Sequence, residues 1–524
     1  MKRERMLALV NNHRDKEWDV IVIGGGATGL GTALDAASRG YATLLLEQSD
    51  FSKGTSSRST KLVHGGVRYL AQGDISLVLE ALHERGLLRQ NAPHLVKNQS
   101  FIIPNYDWWD GPFYALGMKV YDMMAGRLGL GPSESLTATE VQEAIPNLKT
   151  KGLHGGVIYY DGQFDDARLA INIAQTCAEH GGVAVNYMQV TGLTKDSSGL
   201  LTGVEAIDLE TESRYQLRAK SIVNATGVFV DEIMRLDDPQ ARPLVRPSQG
   251  VHIVLSKDFL DGDSAIMIPK TSDGRVLFAV PWHDRVVVGT TDTLVDECSL
   301  EPRALEEEID FILHTARKYL TRAPQRKDVL SIFAGLRPLA APEGDDNTST
   351  KEISRSHHLQ VSLSGLVTIT GGKWTTYRKM AQDTVDKAAL VGCLEPTPCK
   401  TGEMPIHGWL ANVDPADPLS YYGSDAEAMR DLIKKRPELG KPLHARLPYT
   451  AVEVIWSVRH EMARTVDDIL ARRQRALFLD ARAAIEMAPA VAKILADELK
   501  KDIPWQREQI RQFTELARGY FLVS

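Results

Sequence analysis

The sequence predicts an α/β fold: a Rossmann-like dinucleotide-binding domain with an inserted antiparallel β-sheet domain and a C-terminal α-helical domain. Three observations carry that expectation. A strand, glycine loop, helix and second strand follow one another in "DVIVIGGGATGLGTALDAASRGYATLLLE", residues 19–47. Short β-branched runs such as "RVVVGTTDT" at 285–293, separated by Gly, Pro and Asp turns, occupy the region of about 240–330. Behind the Pro-containing "CLEPTPCKTGEMPIHG", strand signals fade and helical periodicity takes over.

Bulk properties agree with a soluble globular protein. A chain of 524 residues exceeds one ordinary core, so two or three domains are expected. With 43% apolar and 25% charged residues and a net charge of -7, neither a disordered chain nor a nucleic-acid binder is indicated. Cys177, Cys298, Cys393 and Cys399 lack metal-ligand spacing and read as reduced thiols of a cytoplasmic compartment, with no metal site. The apolar run Met6 to Val10 is too short for a signal peptide, and no window offers the roughly 18 apolar residues of a membrane span. The expected protein is soluble or lies on a membrane surface.

Taken in order, "DVIVIG" reads as a buried parallel strand, and the residues after it switch to a helix ended by Gly40. Gly24, Gly26 and Gly29 fit G-x-G-x-x-G, with Thr28 inside the same loop. The first glycine makes the turn, the second lets backbone approach a pyrophosphate, and the third lets helix pack on strand. The helix N-terminus then faces phosphate with its dipole. Glu47, closing the second strand 23 residues after Gly24, is placed to accept from a ribose hydroxyl. At this point a nicotinamide and a flavin dinucleotide fit equally.

The next stretch, "GTSSRSTKLVHGGVRYL" at 54–70, offers the hydroxyls of Thr55, Ser56, Ser57 and Ser59 to phosphate and ribitol oxygens. Gly65 and Gly66 let backbone pass close to a flat ring. "SIVNATG" at 221–227 reads as a buried strand entering a glycine turn, which sets the Ala225 to Gly227 backbone against a cofactor. In "LVTITGGKWTTYRKMA" at 366–381 a strand ends at Gly371 and Gly372 and a helix begins near Thr375, so its free N–H groups point at the turn.

These segments resemble those of FAD-dependent glycerol-3-phosphate dehydrogenases. The resemblance runs over about residues 18–400 and includes "DDARL" at 165–169, "GVHIV" at 250–254, "PWHDRVVVGTTDT" at 281–293 and "GLRP" at 335–338. It implies FAD as cofactor, held by the glycines, hydroxyls and Glu47 named above together with Lys61, His64, Thr375 and Thr376. It implies sn-glycerol 3-phosphate as substrate, with Arg68, Tyr69 and Arg355 lining its pocket beside Arg337 and Lys373. The implied reaction moves the C2 hydride to the flavin and the hydroxyl proton to a base, making dihydroxyacetone phosphate. His252 is the first choice of base, Lys373 the alternative, and Arg337 is suited to a developing alkoxide.

The resemblance further implies a peripheral enzyme on the cytoplasmic face of the inner membrane that passes electrons to a membrane quinone, with a homodimer as a possible assembly. The alternative is an oxidase that reduces O2 to H2O2. Oxidases of the family carry an additional segment, and no such insert interrupts the matched motifs here. The expected domains are FAD binding (1–90, 151–240 and 331–400), substrate binding (91–150 and 241–330) and C-terminal helical (401–524). In the last, 18 basic residues balance 18 acidic ones, leaving no polybasic tail. Its stretch "AVEVIWSVRHEMARTVDDILARR" places Val454, Val458, Met462, Val466 and Leu470 on one side. "WWDGPFYALGMKVYDMMAGRLGL" at 108–130 has the composition of an interfacial anchor, yet its Met and aromatic residues at helical spacing favour internal packing.

Overall fold

The computed structural model describes residues 1–13, 16–67, 70, 74–107, 110–269, 271, 275–340 and 357–522. Of the residues singled out from sequence, Arg68, Tyr69 and Arg355 lie outside these.

Val20, Ile21 and Val22 are fully buried, as a β-branched run covered on both faces requires, and they form the strand Glu17–Ile23. It pairs parallel with Thr43–Leu46 on one side and with Arg214–Asn224 on the other. Among the described residues this sheet runs in the order 357–361, 366–371, 214–224, 17–23, 43–46, 183–185, and the hairpin 188–195/201–208 extends it. The helix Ala27–Ser38 lies on it, almost entirely buried, and stops where Gly40 takes φ +96°. Gly31 faces the helix Tyr377–Val391 so closely that a Cβ would meet the Tyr377 ring at 2.8 Å. The α/β reading of the first half is confirmed in type and order.

Among the described residues a second sheet of ten strands is antiparallel except where Ala265–Ile268 runs parallel to Val96–Asn105. A long ladder joins Val245–Ser256 to Ser331–Ala340 over ten residue pairs. The strands Gly155–Phe164 and Ser331–Ala340 belong to this sheet, so each long stretch between the nucleotide-loop strands contributes to both sheets. Helix Asp110–Ala125 divides its apolar residues between two faces. Met118 and Tyr121 are buried against Val78 and Leu82 of helix Ile75–Asn91, whereas Phe113, Leu116 and Met123 point outward with 64%, 70% and 75% of their surface exposed.

The C-terminal part is helical, and a core of its own residues takes in Val254, Trp282, Val287 and Phe333 of the second sheet. The stretch 451–473 is not one helix. Helix Ala451–Glu461 ends at Met462, which turns left-handed at φ +58°, and a wide helical turn resumes at Asp468–Arg473. Buried polar bonds decide the break: Arg168 forks onto Glu461 with two contacts of 2.8 Å, and Asp468 accepts from the Arg464 and Thr465 N–H groups at 2.7 and 3.1 Å.

Removing one partner of a buried pair strands the other charge, a loss of about 3–5 kcal/mol. Glu461→Gln is therefore expected to lower unfolding stability by that order in urea titrations, while Arg511→Gln, which breaks exposed pairs with Glu508 and Glu515, is expected to cost about 1 kcal/mol or less.

Candidate active site

The glycine loop forms as steric necessity dictates. Gly24 sits at φ +107°, where a Cβ would lie 2.6 Å from the Ala225 carbonyl oxygen, and a Cβ on Gly29 would lie 1.9 Å from the Gly24 oxygen. At Gly26 a Cβ would meet only Ser56 Oγ, at 3.1 Å, and Gly26 lines a cavity of about 490 Å³. The Ala27 N–H, at the first turn of the helix, donates to Ser56 Oγ at 2.8 Å. Glu47 accepts from the Gly25 N–H at 2.6 Å and from the Ser49 N–H at 2.7 Å, so it fixes the loop as well as lining the cavity. Burial raises its pKa, against the pull of those two amides. Gly24, Gly26, Thr28, Glu47, Thr55, Ser56, Ala225, Gly227, Gly371 and Gly372 all line this cavity.

A second cavity of about 300 Å³ adjoins it. Thr55, Pro338, Gly371, Gly372, Lys373 and Trp374 line both, so the two meet at the turn between strand Leu366–Gly371 and helix Tyr377–Val391. His252, Arg337, Ser59, His64, Gly66, Thr375, Thr60 and Asp161 line the second.

The long ladder brings the first two of these together. His252 lies opposite Phe333, Gly250 opposite Gly335, and Ser248 opposite Arg337, three successive pairs on one face. The glycine pair between them leaves the room that is used: a Cβ on Gly250 would meet the Arg337 guanidinium at 2.4 Å, and one on Gly335 would meet Arg58. Arg337 is aimed by Thr290 Oγ1 at 3.1 Å, the Thr291 carbonyl at 3.0 Å and Asp292 at 3.4 Å. His252 stacks on Phe333 with centroids 4.9 Å apart, and its Nε2 lies 2.9 Å from Thr60 Oγ1. Its Nδ1 is buried and has no hydrogen-bond partner among the described residues. Burial, reinforced by Lys61 and Arg337, holds its pKa well below 6.5, so the ring is neutral.

Other residues predicted from sequence face elsewhere. Ser57, Lys61, Gly65 and Thr376 line neither cavity, and Gly29 packs helix on loop. Lys61 turns inward because Asp166 awaits it at 2.7 Å and the Ser57 carbonyl at 2.7 Å, among the rings of Trp282, Phe333 and Phe478. Burial, then the neighbouring Arg475, pull its pKa down to about 7. Gly65 is required by packing: a Cβ there would meet Leu82 at 2.4 Å and the Tyr121 hydroxyl at 2.5 Å. Ser59 lines the second cavity while its hydroxyl donates to Asp166 at 2.7 Å. Sequence reasoning missed Thr60, Asp166, Asp292 and the Gly250/Gly335 pair. Glycine inside a strand was the one available signal, since it marks close approach of another group.

A nucleotide loop feeding a cavity that ends against a cation-lined antiparallel sheet defines the class, a dinucleotide-dependent oxidoreductase. The chain matches the family of FAD-dependent oxidoreductases over residues 19–378 and the C-terminal domain of alpha-glycerophosphate oxidase over residues 366–509. It is 40% identical to the probable mitochondrial glycerol-3-phosphate dehydrogenase of Caenorhabditis elegans, over 98% of this chain and 75% of that protein. It is 39% identical to the mitochondrial glycerol-3-phosphate dehydrogenase of Homo sapiens, over 99% of this chain and 76% of that protein. The glycerol-3-phosphate dehydrogenase of Bacillus halodurans, solved in complex with FAD, superimposes with a TM-score of 0.80 at 29% identity, over 100% of this chain and 99% of that one. The chain belongs to the FAD-dependent glycerol-3-phosphate dehydrogenase family.

The glycine geometry separates two outcomes. Gly26→Val is expected to fold yet purify without flavin, because its side chain enters the cavity; retained yellow colour would refute the loop's part in binding. Gly29→Ala is expected instead to lose soluble protein, because its methyl group collides with backbone.

Proposed function

We propose that the protein oxidises sn-glycerol 3-phosphate to dihydroxyacetone phosphate and passes the electrons to a membrane quinone. The observation that carries the reading is the junction of the two cavities at Gly371–Trp374, with a neutral His252 and a braced Arg337 in the second. FAD fits the first: the amides of the loop and the helix N-terminus, with Thr55 and Ser56, suit its pyrophosphate, Glu47 suits its ribose, and the turn at Gly371 and Gly372 suits the ring end. A flavin held by these residues would supply the acceptor for the C2 hydride of the substrate.

The remaining work falls to the chain. Arg337 and Lys373 supply positive charge to a phosphorylated substrate, and Arg68, Tyr69 and Arg355, which lie outside the described residues, belong to the proposed pocket by family resemblance. His252 takes the hydroxyl proton: it is neutral, its Nε2 is positioned by Thr60, and the protonated ring is met by no carboxylate in the bonds it makes, so the proton is passed on readily. Apolar walls from Phe101, Tyr159, Met267 and Phe278 exclude water around these groups.

The quinone reading is supported by the outward face of helix Asp110–Ala125, where Phe113, Leu116 and Met123 form an apolar strip over the same core that walls the second cavity. Among the described residues no helix is long and apolar enough to cross a membrane. The reading puts the enzyme on the cytoplasmic face of an inner membrane, docked by this strip.

Anaerobic addition of glycerol 3-phosphate is expected to bleach the flavin, and a soluble quinone analogue is expected to restore it quickly. Fast recovery in oxygen with peroxide would make the protein an oxidase; no bleaching would sink the substrate. Arg337→Ala is expected to slow bleaching by about 100-fold or more with flavin content unchanged. Because the folded pKa of His252 is depressed, its neutral form persists as pH falls through 6.5. The bleaching rate of the wild type is thus expected to hold across that range and to drop only at lower pH; an acid limb centred at 6.5 would argue against His252 as base.

A further inference from the structure

The loop of residues 48–54 belongs to no helix or strand, and Ser52 within it is left-handed at φ +65°. Even so, Gln48, Lys53 and Gly54 line the first cavity beside Thr55 and Ser56. Backbone bonds tie it at two points, Ser49 to Tyr187 and Ser52 to Gly25; the remainder needs side chains to hold its shape, because each ordered residue costs conformational entropy.

Buried side chains from the far end of the chain do so. Asp50 accepts from Arg473 at 2.5 and 2.9 Å and from Arg472 at 2.5 Å, all three side chains being at most 2% exposed. Lys53 donates to Asp467 at 2.8 Å, and Asp467 also accepts from Arg472 at 2.9 Å. The Ser57 carbonyl accepts from Arg475 at 2.8 Å. No residue of the segment 467–475 lines either cavity. The bonds grip the loop at three points spread over eight residues, at Asp50 and Ser57 on the side away from the cavity and at Lys53 on its wall.

We propose that segment 467–475 is a clasp: Asp467, Arg472, Arg473 and Arg475 are positioning residues that set the affinity for FAD by holding residues 50–57 in their binding shape. The inference rests on the FAD reading of the first cavity and adds to it a determinant that touches no cofactor. A loop released from the clasp must be ordered again when the dinucleotide enters, and that cost appears as weaker binding.

The test titrates FAD into apoprotein, with Asp467→Asn and Arg475→Gln as variants and Asp467→Glu as the conservative control. Each of the two disruptive variants is expected to raise the FAD dissociation constant tenfold or more, while Asp467→Glu stays near wild type. The rise in melting temperature that FAD confers is expected to shrink in the same variants. A purely structural role would lower the melting temperatures of apoprotein and holoprotein together and leave the dissociation constant within twofold of wild type, which would overturn the clasp. If Arg475→Gln does not fold, Asp467→Asn, at the less deeply buried edge of the network, decides alone. Wild-type apoprotein that takes up no FAD would overturn the cofactor reading, and with it the clasp, and is distinguished by failing before any variant is compared.

Discussion

Asp166 is the constraint on which much of the arrangement depends. Fully buried, it accepts from five donors: its own chain at Ala167, the Ser59 N–H and hydroxyl, the Lys61 ammonium and the Arg475 guanidinium. A carboxylate removed from water survives only with such company. Its position at the start of helix Asp166–Glu179 ties that helix to the hydroxyl-rich turn and to the C-terminal part at once. The turn in turn carries Thr60 to His252 and Ser56 to the first turn of the nucleotide helix. One buried charge thereby connects both cavities to a segment some three hundred residues away.

The site itself is a meeting of two kinds of sheet. The parallel sheet ends in glycine turns that leave backbone amides pointing into an open volume, which suits a dianionic linker. The antiparallel sheet offers alternation, so that one face of two adjacent strands presents His252 and Arg337 with only glycines between them. Neither sheet has a complete site. The cavities join where strand Leu366–Gly371 turns into helix, and Trp374 closes that corner by donating to the Ser56 carbonyl at 2.8 Å.

Charge is handled differently on the two sides of the turn. Toward the cavities, cations and neutral donors prevail, ready for an anionic guest. Away from them, Asp50, Asp166, Asp467 and Glu461 are each matched by buried arginine or lysine, so the interior gains rigidity without net charge. Buried pairs of this kind add little net stability compared with apolar packing, but they penalise any other arrangement. That suits a loop whose shape matters more than its stability.

The nucleotide loop, its flanking strands, the helix that ends at Gly40 and the helical character of the last part were all legible in the sequence, because period, glycine sterics and turn chemistry act over a few residues. Motifs also marked the segments that carry His252, Arg337 and Lys373. What the sequence did not reveal is which way several of those side chains turn. Lys61 and Ser57 sit among residues that line the site yet face the interior, since a buried carboxylate outcompetes an open cavity for an ammonium. The break after Glu461 was likewise hidden: apolar spacing continues through Met462, and the helix stops where Arg168, contributed from 293 positions earlier, takes Glu461 and Asp468 takes the N–H groups that follow. Local sequence thus determined the elements and the chemistry each segment offers. Tertiary structure decided which of them share a site, because desolvation and pairing of buried charges depend on partners that only the complete fold brings within reach.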